Sequence, residues 1–168
     1  NLEDLPRMAR GLKDIGVDGM KIEQLSYLTR EEALDKPLHA VHLSRERRTY
    51  VREGYFDEAY IRKLIGTYRE ISRDYPGFVH IKPYLTEKQI IKWYSRVPVR
   101  NKRCYFLTHS TFIGPAGEVI PCQYFPECRI GNIREHGLSR IWRSPGYDRL
   151  RKSIGEGRAV ICSRCCKN

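Results

Sequence analysis

Six cysteines, Cys104, Cys122, Cys128, Cys162, Cys165 and Cys166, are the residues of this chain best suited to chemistry, and all lie beyond residue 100. A disulfide scaffold spreads its cysteines through a small secreted chain. A long cysteine-free stretch followed by a cysteine-rich end points instead to metal or cluster binding. Cys162-Ser163-Arg164-Cys165 presents two thiolates from one loop. Cys104 and Cys122 flank a turn signal at Gly114-Pro115-Ala116-Gly117, and a hairpin with equal arms would bring those two sulfurs together. Cys104, Cys122, Cys162 and Cys165 are therefore the candidate four-thiolate site. An iron–sulfur cluster and a structural zinc ion can both use such a set, and ligand softness does not separate them. Zinc is the weaker reading, because a zinc ribbon has two close cysteine pairs and only one pair is close here. Cys128, after Pro126-Glu127, reads as a spare thiol before it reads as an extra ligand. Cys166 adjoins Cys165 and is a substitute for it, since neighbouring cysteines rarely reach one metal.

Two stretches of different texture must position these thiols. In the first, Leu5, Met8, Ala9, Leu12 and Ile15 recur at helical spacing, with Asp4 and Pro6 at the start and Gly16 at the stop. Val17 to Ile22 reads as a strand. Tyr60, Ile61, Leu64, Ile65, Tyr68 and Ile71 mark one face of a long helix entered at Asp57 and closed near Pro76-Gly77. Phe78 to Tyr84 reads as a second strand. Thr86 and Gln89 have capping-box spacing ahead of a helix carrying Ile90, Ile91 and Trp93. This alternation predicts an α/β fold with a parallel sheet. Two strands can neither close a barrel nor cover both faces of a sheet, so residues 1–96 read as the tail of something larger. Residues 97–103 read as a linker, and residues 104–168 as a small α+β cysteine domain. In that domain Cys104–Phe112 and Glu118–Pro121 are predicted to be the arms of the hairpin. Helical pieces follow at Leu138–Arg143 and Pro145–Ile154.

The cysteine domain resembles a known family. Cys104, then Gly117, then Cys122 resembles the opening signature of the SPASM and twitch auxiliary-cluster domains of radical S-adenosylmethionine enzymes. Ile113-Gly-Pro-Ala-Gly-Glu-Val-Ile-Pro-Cys122 is similar to the family's hairpin. Ile130-Gly131-Asn132-Ile133, Leu138-Ser-Arg-Ile-Trp142, Ser144, Tyr147 and Leu150-Arg151 resemble the segment after it, and Cys162-x-x-Cys165 the closing ligand pair. Asn1–Leu5 through Gly16–Ile22 is similar to a late helix and strand of the family's partial (β/α) barrel. The resemblance implies an auxiliary 4Fe–4S cluster used for electron transfer or substrate positioning. It implies an oxidoreductase-type parent that binds S-adenosylmethionine and a second 4Fe–4S cluster in an N-terminal radical core. It also implies a peptide, protein or small-molecule substrate. Glu23 and Gln24, at the end of the first strand, would then line the cofactor or substrate cavity. The family's catalytic Cys-x-x-x-Cys-x-x-Cys spacing does not occur in this sequence, so this chain alone is expected not to cleave S-adenosylmethionine. Between Cys122 and Cys162 there is only Cys128, which favours a twitch-like, single-cluster version.

Composition narrows the remaining classes. With 40% hydrophobic and 30% charged residues the chain is globular, and no apolar run approaches bilayer length. No secretory signal occupies Asn1–Arg10, so a cytoplasmic setting is expected. The chain opens in what reads as the middle of a fold, so a fragment of a longer protein is expected. The net charge of +11 allows an anionic partner. The alternative reading is accordingly a zinc-stabilised basic module that binds nucleic acid or protein. The densest basic cluster, Arg45, Arg47, Arg48 and Arg52, is short, and no aromatic-rich RNA motif accompanies it. His39, His42 and His80 read as ordinary polar residues. His109 is expected in the hairpin, within hydrogen-bonding reach of the cluster. Trp142 and Tyr147 read as packing residues.

Overall fold

The computed structural model describes residues 2–35, 50–95, 104–123, 126, 128–156 and 160–165. After a short 3₁₀ turn, the first half runs α1 (Leu5–Asp14), β1 (Met20–Glu23), β2 (Tyr27–Thr29), α2 (Arg30–Asp35), β3 (Tyr50–Arg52), α3 (Glu58–Asp74), β4 (Val79–Lys82) and α4 (Glu87–Tyr94). The second half runs α5 (Tyr105–His109), β5 (Phe112–Ile113), β6 (Glu118–Ile120), β7 (Gly131–Asn132), α6 (Leu138–Trp142), α7 (Pro145–Gly155) and a 3₁₀ turn, Val160–Arg164. The linker at 97–103, Cys166, His39, His42, Arg45, Arg47 and Arg48 lie outside the described residues.

Contacts divide the chain into two compact units. Residues 2–25 and 54–95 make the first. β1 and β4 pair in parallel from Met20↔Val79 to Glu23↔Lys82, and α3 makes the crossover between them. The helix ends follow their sequence signals. Asp57 accepts the Tyr60 N–H at 2.7 Å, satisfying a donor that the first helical turn leaves open. Thr86 and Gln89 form both arms of a capping box at the start of α4. Gly16, at φ 81°, closes α1 in the left-handed conformation that glycine adopts without strain. Ile61, Leu64, Ile65, Tyr68 and Ile71 of α3 are buried, as their spacing requires, and so are Ile90, Trp93 and Tyr94 of α4. Ile91 is half exposed, on the outer face of α4.

The second unit joins residues 26–35 and 50–53 to the described residues from 104 to 165. The described residues 26–35 and 50–53 thus pack with the cysteine-bearing unit. β2 and β3 pair in parallel, Tyr27, Leu28 and Thr29 are all buried, and Leu28 shares a core with Leu107, Val119, Ile141, Tyr147 and Ile161. β5, β6 and β7 form an antiparallel sheet in that order. β7 is a third strand beyond the expected hairpin. Gly117, at φ 87°, makes the turn between β5 and β6, where an added Cβ would lie 2.5 Å from Asn132 Oδ1. No closed barrel is formed by the described residues, whose sheets have two, two and three strands.

One element departs from its sequence pattern. Cys104–Phe112 is rich in aromatic and β-branched residues and reads as a strand, but Tyr105–His109 is a helical turn and only Phe112–Ile113 pairs with β6. The turn is held from inside and outside. Leu107 is buried in the core, the Thr108 hydroxyl donates to the Cys104 carbonyl at 3.1 Å, and Phe106 stacks on Phe112. Tertiary packing of this kind overrides local propensity. The register Phe112↔Ile120, carried on past the strand ends, would set Ser110 rather than Cys104 opposite Cys122.

Candidate metal centre

The cysteines reach the core of the second unit from separate elements. Cys104 precedes α5 at its N-cap position. Cys122 follows β6, just after buried Pro121. Cys162 lies in the 3₁₀ turn Val160–Arg164, and Cys165 follows it. Cys104, Cys122, Cys128 and Cys162 all pack on the cluster formed by Leu28, Leu107, Val119, Ile141 and Tyr147. No disulfide joins the described cysteines. Burial pushes the Cys162 thiol well above its ordinary pKa, and Cys165, Cys122 and Cys104, in that order, push it further. The physical cause is desolvation followed by the approach of like thiolates. Cys165, Cys122 and Cys104 are therefore near enough to act on the charge of Cys162. Burial also raises the Tyr147 phenol, with Cys128 and Cys104 among the smaller causes. Among the described residues, no three His, Cys, Asp or Glu side chains already close on a common point as a bound metal would hold them.

The segment carrying Cys162 and Cys165 is anchored by the residue between them. Arg164 is fully buried, and its Nη1 donates to both carboxylate oxygens of Glu32, at 3.0 and 2.8 Å. Its guanidinium lies over the Tyr27 ring, 4.6 Å from the centroid. Glu32 is itself oriented. Its Oε2 accepts the Thr29 N–H at 2.9 Å, while the Thr29 hydroxyl accepts the Glu32 N–H at 3.2 Å, a capping box that starts α2. Sequence reading passed over Tyr27, Thr29, Glu32 and Arg164. The signal for one part was present, since Thr29-Arg-Glu-Glu32 has capping-box spacing. Nothing in the sequence ties Glu32 to Arg164. Elsewhere in the unit the Arg151 guanidinium lies over both the Trp142 and the Tyr147 ring and donates to the Leu107 and Trp142 carbonyls. Trp142 and Tyr147 are thus the packing residues expected.

Residues 104–166 match the family model for SPASM, described as an iron–sulfur cluster-binding domain. This segment is a SPASM-type domain. No curated protein and no solved structure matches the chain. The SPASM match starts at Cys104 and takes in every cysteine of the sequence. It favours an iron–sulfur cofactor over the zinc ion that the thiolates alone would equally suit. The donors present fit such a group. Thiolates are the ligands of iron–sulfur clusters, and the like charges that raise Cys162 are what bound iron cations would offset.

Other expected site residues are placed differently. His109 lies on α5, not in the hairpin. Its ring stacks on Tyr105 and its Nδ1 contacts the Thr108 hydroxyl at 2.7 Å, on the exposed side of the turn. His80 is an exposed strand residue, as read. Glu23 and Gln24 point to opposite faces, as successive residues of an extended chain do. Glu23 is paired with Lys21 at 2.7 Å, while Gln24 is only 2% exposed. The cavity that Gln24 lines does not include Glu23. Among the described residues no helix is long and apolar enough to cross a membrane.

Proposed function

We propose that the SPASM-type domain holds one auxiliary 4Fe–4S cluster through Cys104, Cys122, Cys162 and Cys165, in a cytoplasmic radical S-adenosylmethionine protein. The observation that carries the reading is the packing of Cys104, Cys122 and Cys162 against one core, inside the segment matched by the family model, with Cys165, Cys122 and Cys104 all acting on the Cys162 thiol. A bound cluster supplies one-electron chemistry. The chain's own part is to hold the four thiolates, to shield Cys162 from water and, through Arg164 and Glu32, to fix the turn that carries two of them. With four cysteine ligands no iron is left open, so the domain suits electron transfer better than direct substrate binding. Residues 1–96 supply the end of a partial (β/α) barrel, consistent with the parallel β1–α3–β4 unit. In that reading Glu23, at the C-terminal end of β1, faces the cofactor or substrate, because barrel enzymes place their chemistry at that end. The rest of the radical core is the expected partner, and a peptide, protein or small molecule the substrate.

The test is anaerobic reconstitution with iron and sulfide, followed by metal analysis and the visible spectrum. About four irons and four sulfides per chain are expected. Cys104→Ala, Cys122→Ala, Cys162→Ala and Cys165→Ala should each lose most of that iron, and Cys128→Ala should retain it. Protein that takes up no iron but one tightly held zinc would overturn the reading.

A further inference from the structure

A cavity of about 300 Å³ opens in the first unit, lined by Gln24, by Ile65, Tyr68, Arg69 and Ser72 of α3, by β4 and by α4. Val79 and Ile81 line it and His80 does not, so it lies on the face of the sheet that α3 and α4 cover. Its walls are apolar side chains, Ile65, Val79, Ile81, Leu85 and Ile90. The charged residues beside it, Arg69 and Glu87, bond to each other, and Arg69 is largely exposed.

Gln24 gives this cavity a polar end. Its backbone N–H donates to the Lys82 carbonyl at 2.8 Å. Its Oε1 accepts from the Tyr94 hydroxyl at 2.8 Å and from the Tyr68 hydroxyl at 3.3 Å. The Tyr94 oxygen in turn accepts the Leu25 N–H at 3.2 Å. The Oε1 end of the amide thus faces both tyrosines. The other end, Nε2, carries two N–H donors and is buried with no hydrogen-bond partner among the described residues. A buried unsatisfied donor is costly and native proteins rarely leave one without a use.

We propose that this cavity binds a compact, uncharged, largely apolar molecule that presents one carbonyl-type acceptor to Gln24 Nε2. The volume is at the lower end for small-molecule sites and suits a single ring with a short substituent. The ligand is uncharged because an ionised carboxylate would be desolvated against a neutral amide, with the nearby guanidinium already paired to Glu87. This proposal uses residues of the first unit only and stands whether or not the thiols bind a cluster.

The experiment is a titration of the ¹⁵N-labelled 168-residue chain with three probes, followed by nuclear magnetic resonance. Acetophenone carries the acceptor, ethylbenzene has nearly the same shape without it, and benzoate has the ring with a charge. Acetophenone should shift the Gln24 side-chain NH₂ and the α3 and β4 amides saturably. Ethylbenzene should bind roughly fivefold more weakly, the value of one net hydrogen bond, and benzoate should not bind. Gln24→Leu should remove the preference for acetophenone. Ile65→Phe, which fills the cavity and keeps the amide, should abolish binding of both neutral probes. Equal binding of acetophenone and ethylbenzene to the unaltered chain would overturn the role of Gln24 without any variant. No saturable shift, with a long-lived water at the Gln24 amide instead, would show that solvent alone satisfies the group and would overturn the proposal.

Discussion

Replacing Glu32 by alanine should be among the most damaging single changes in the second unit. The substitution strips the carboxylate from a guanidinium that is 0% exposed, while Glu32 itself is 12% exposed. A buried ion pair contributes little compared with a well-packed apolar pair, but removing one partner leaves a buried charge uncompensated, at about 3–5 kcal/mol. Glu32 also accepts the Thr29 N–H, so half a capping box is lost, at about 1 kcal/mol. Arg164→Met should cost less, about 1–3 kcal/mol, because the partly exposed carboxylate can rehydrate and keeps its bond to Thr29. The double variant Glu32→Leu/Arg164→Met should recover much of the loss, since no buried charge remains. Denaturant unfolding of the metal-free chain measures all three, and Glu32→Ala should also lower the melting temperature by roughly 10 °C or more. A loss under about 1 kcal/mol for Glu32→Ala, or a double variant as costly as the singles added together, would refute the uncompensated-charge argument. On the cluster reading, iron retention should fall with Glu32→Ala in the same experiment, because Arg164 sits between Cys162 and Cys165.

Three further outcomes are expected. Gly117→Ala places a Cβ at a positive φ and 2.5 Å from Asn132 Oδ1, and should destabilise the β5–β6 turn by about 1–3 kcal/mol in denaturant unfolding. Thr86→Ala removes one arm of the α4 capping box and should cost about 1 kcal/mol by the same measurement. Tyr68, buried between α3 and Gln24, has its phenol pushed up from 10.0 to about 12, mainly by desolvation. A phenol raised in the folded state contributes stability that is whole below pH 10 and is lost as pH climbs through about 12. Thermal melts should therefore decline across that window, and Tyr68→Phe should flatten the decline. Tyr94, raised for the same reason, would leave a residual slope.

Elements whose signals are local can be read from the residues alone. Helix α3 with its Asp57 cap, the Thr86–Gln89 capping box, the turn at Gly117 and the paired thiols of Cys162 and Cys165 all follow from spacings of a few residues, and short-range geometry makes such spacings legible. The family of residues 104–166 was readable for a related reason, because the cysteine and glycine spacings of its hairpin are themselves local. Features that depend on contacts between distant segments emerge only when the chain packs. Cys104–Phe112 has strand-forming residues, but burial of Leu107 in the core makes Tyr105–His109 a helical turn. Residues 26–35 have no pattern tying them to the cysteines, yet they join their unit because Leu28 enters the core and Glu32 meets Arg164. Adjacent Glu23 and Gln24 look equivalent on paper, whereas strand alternation leaves one paired with Lys21 and buries the other beneath α3 and α4. Each of these outcomes is set by which side chains lose water together, and that is settled only when segments far apart in the chain pack against one another.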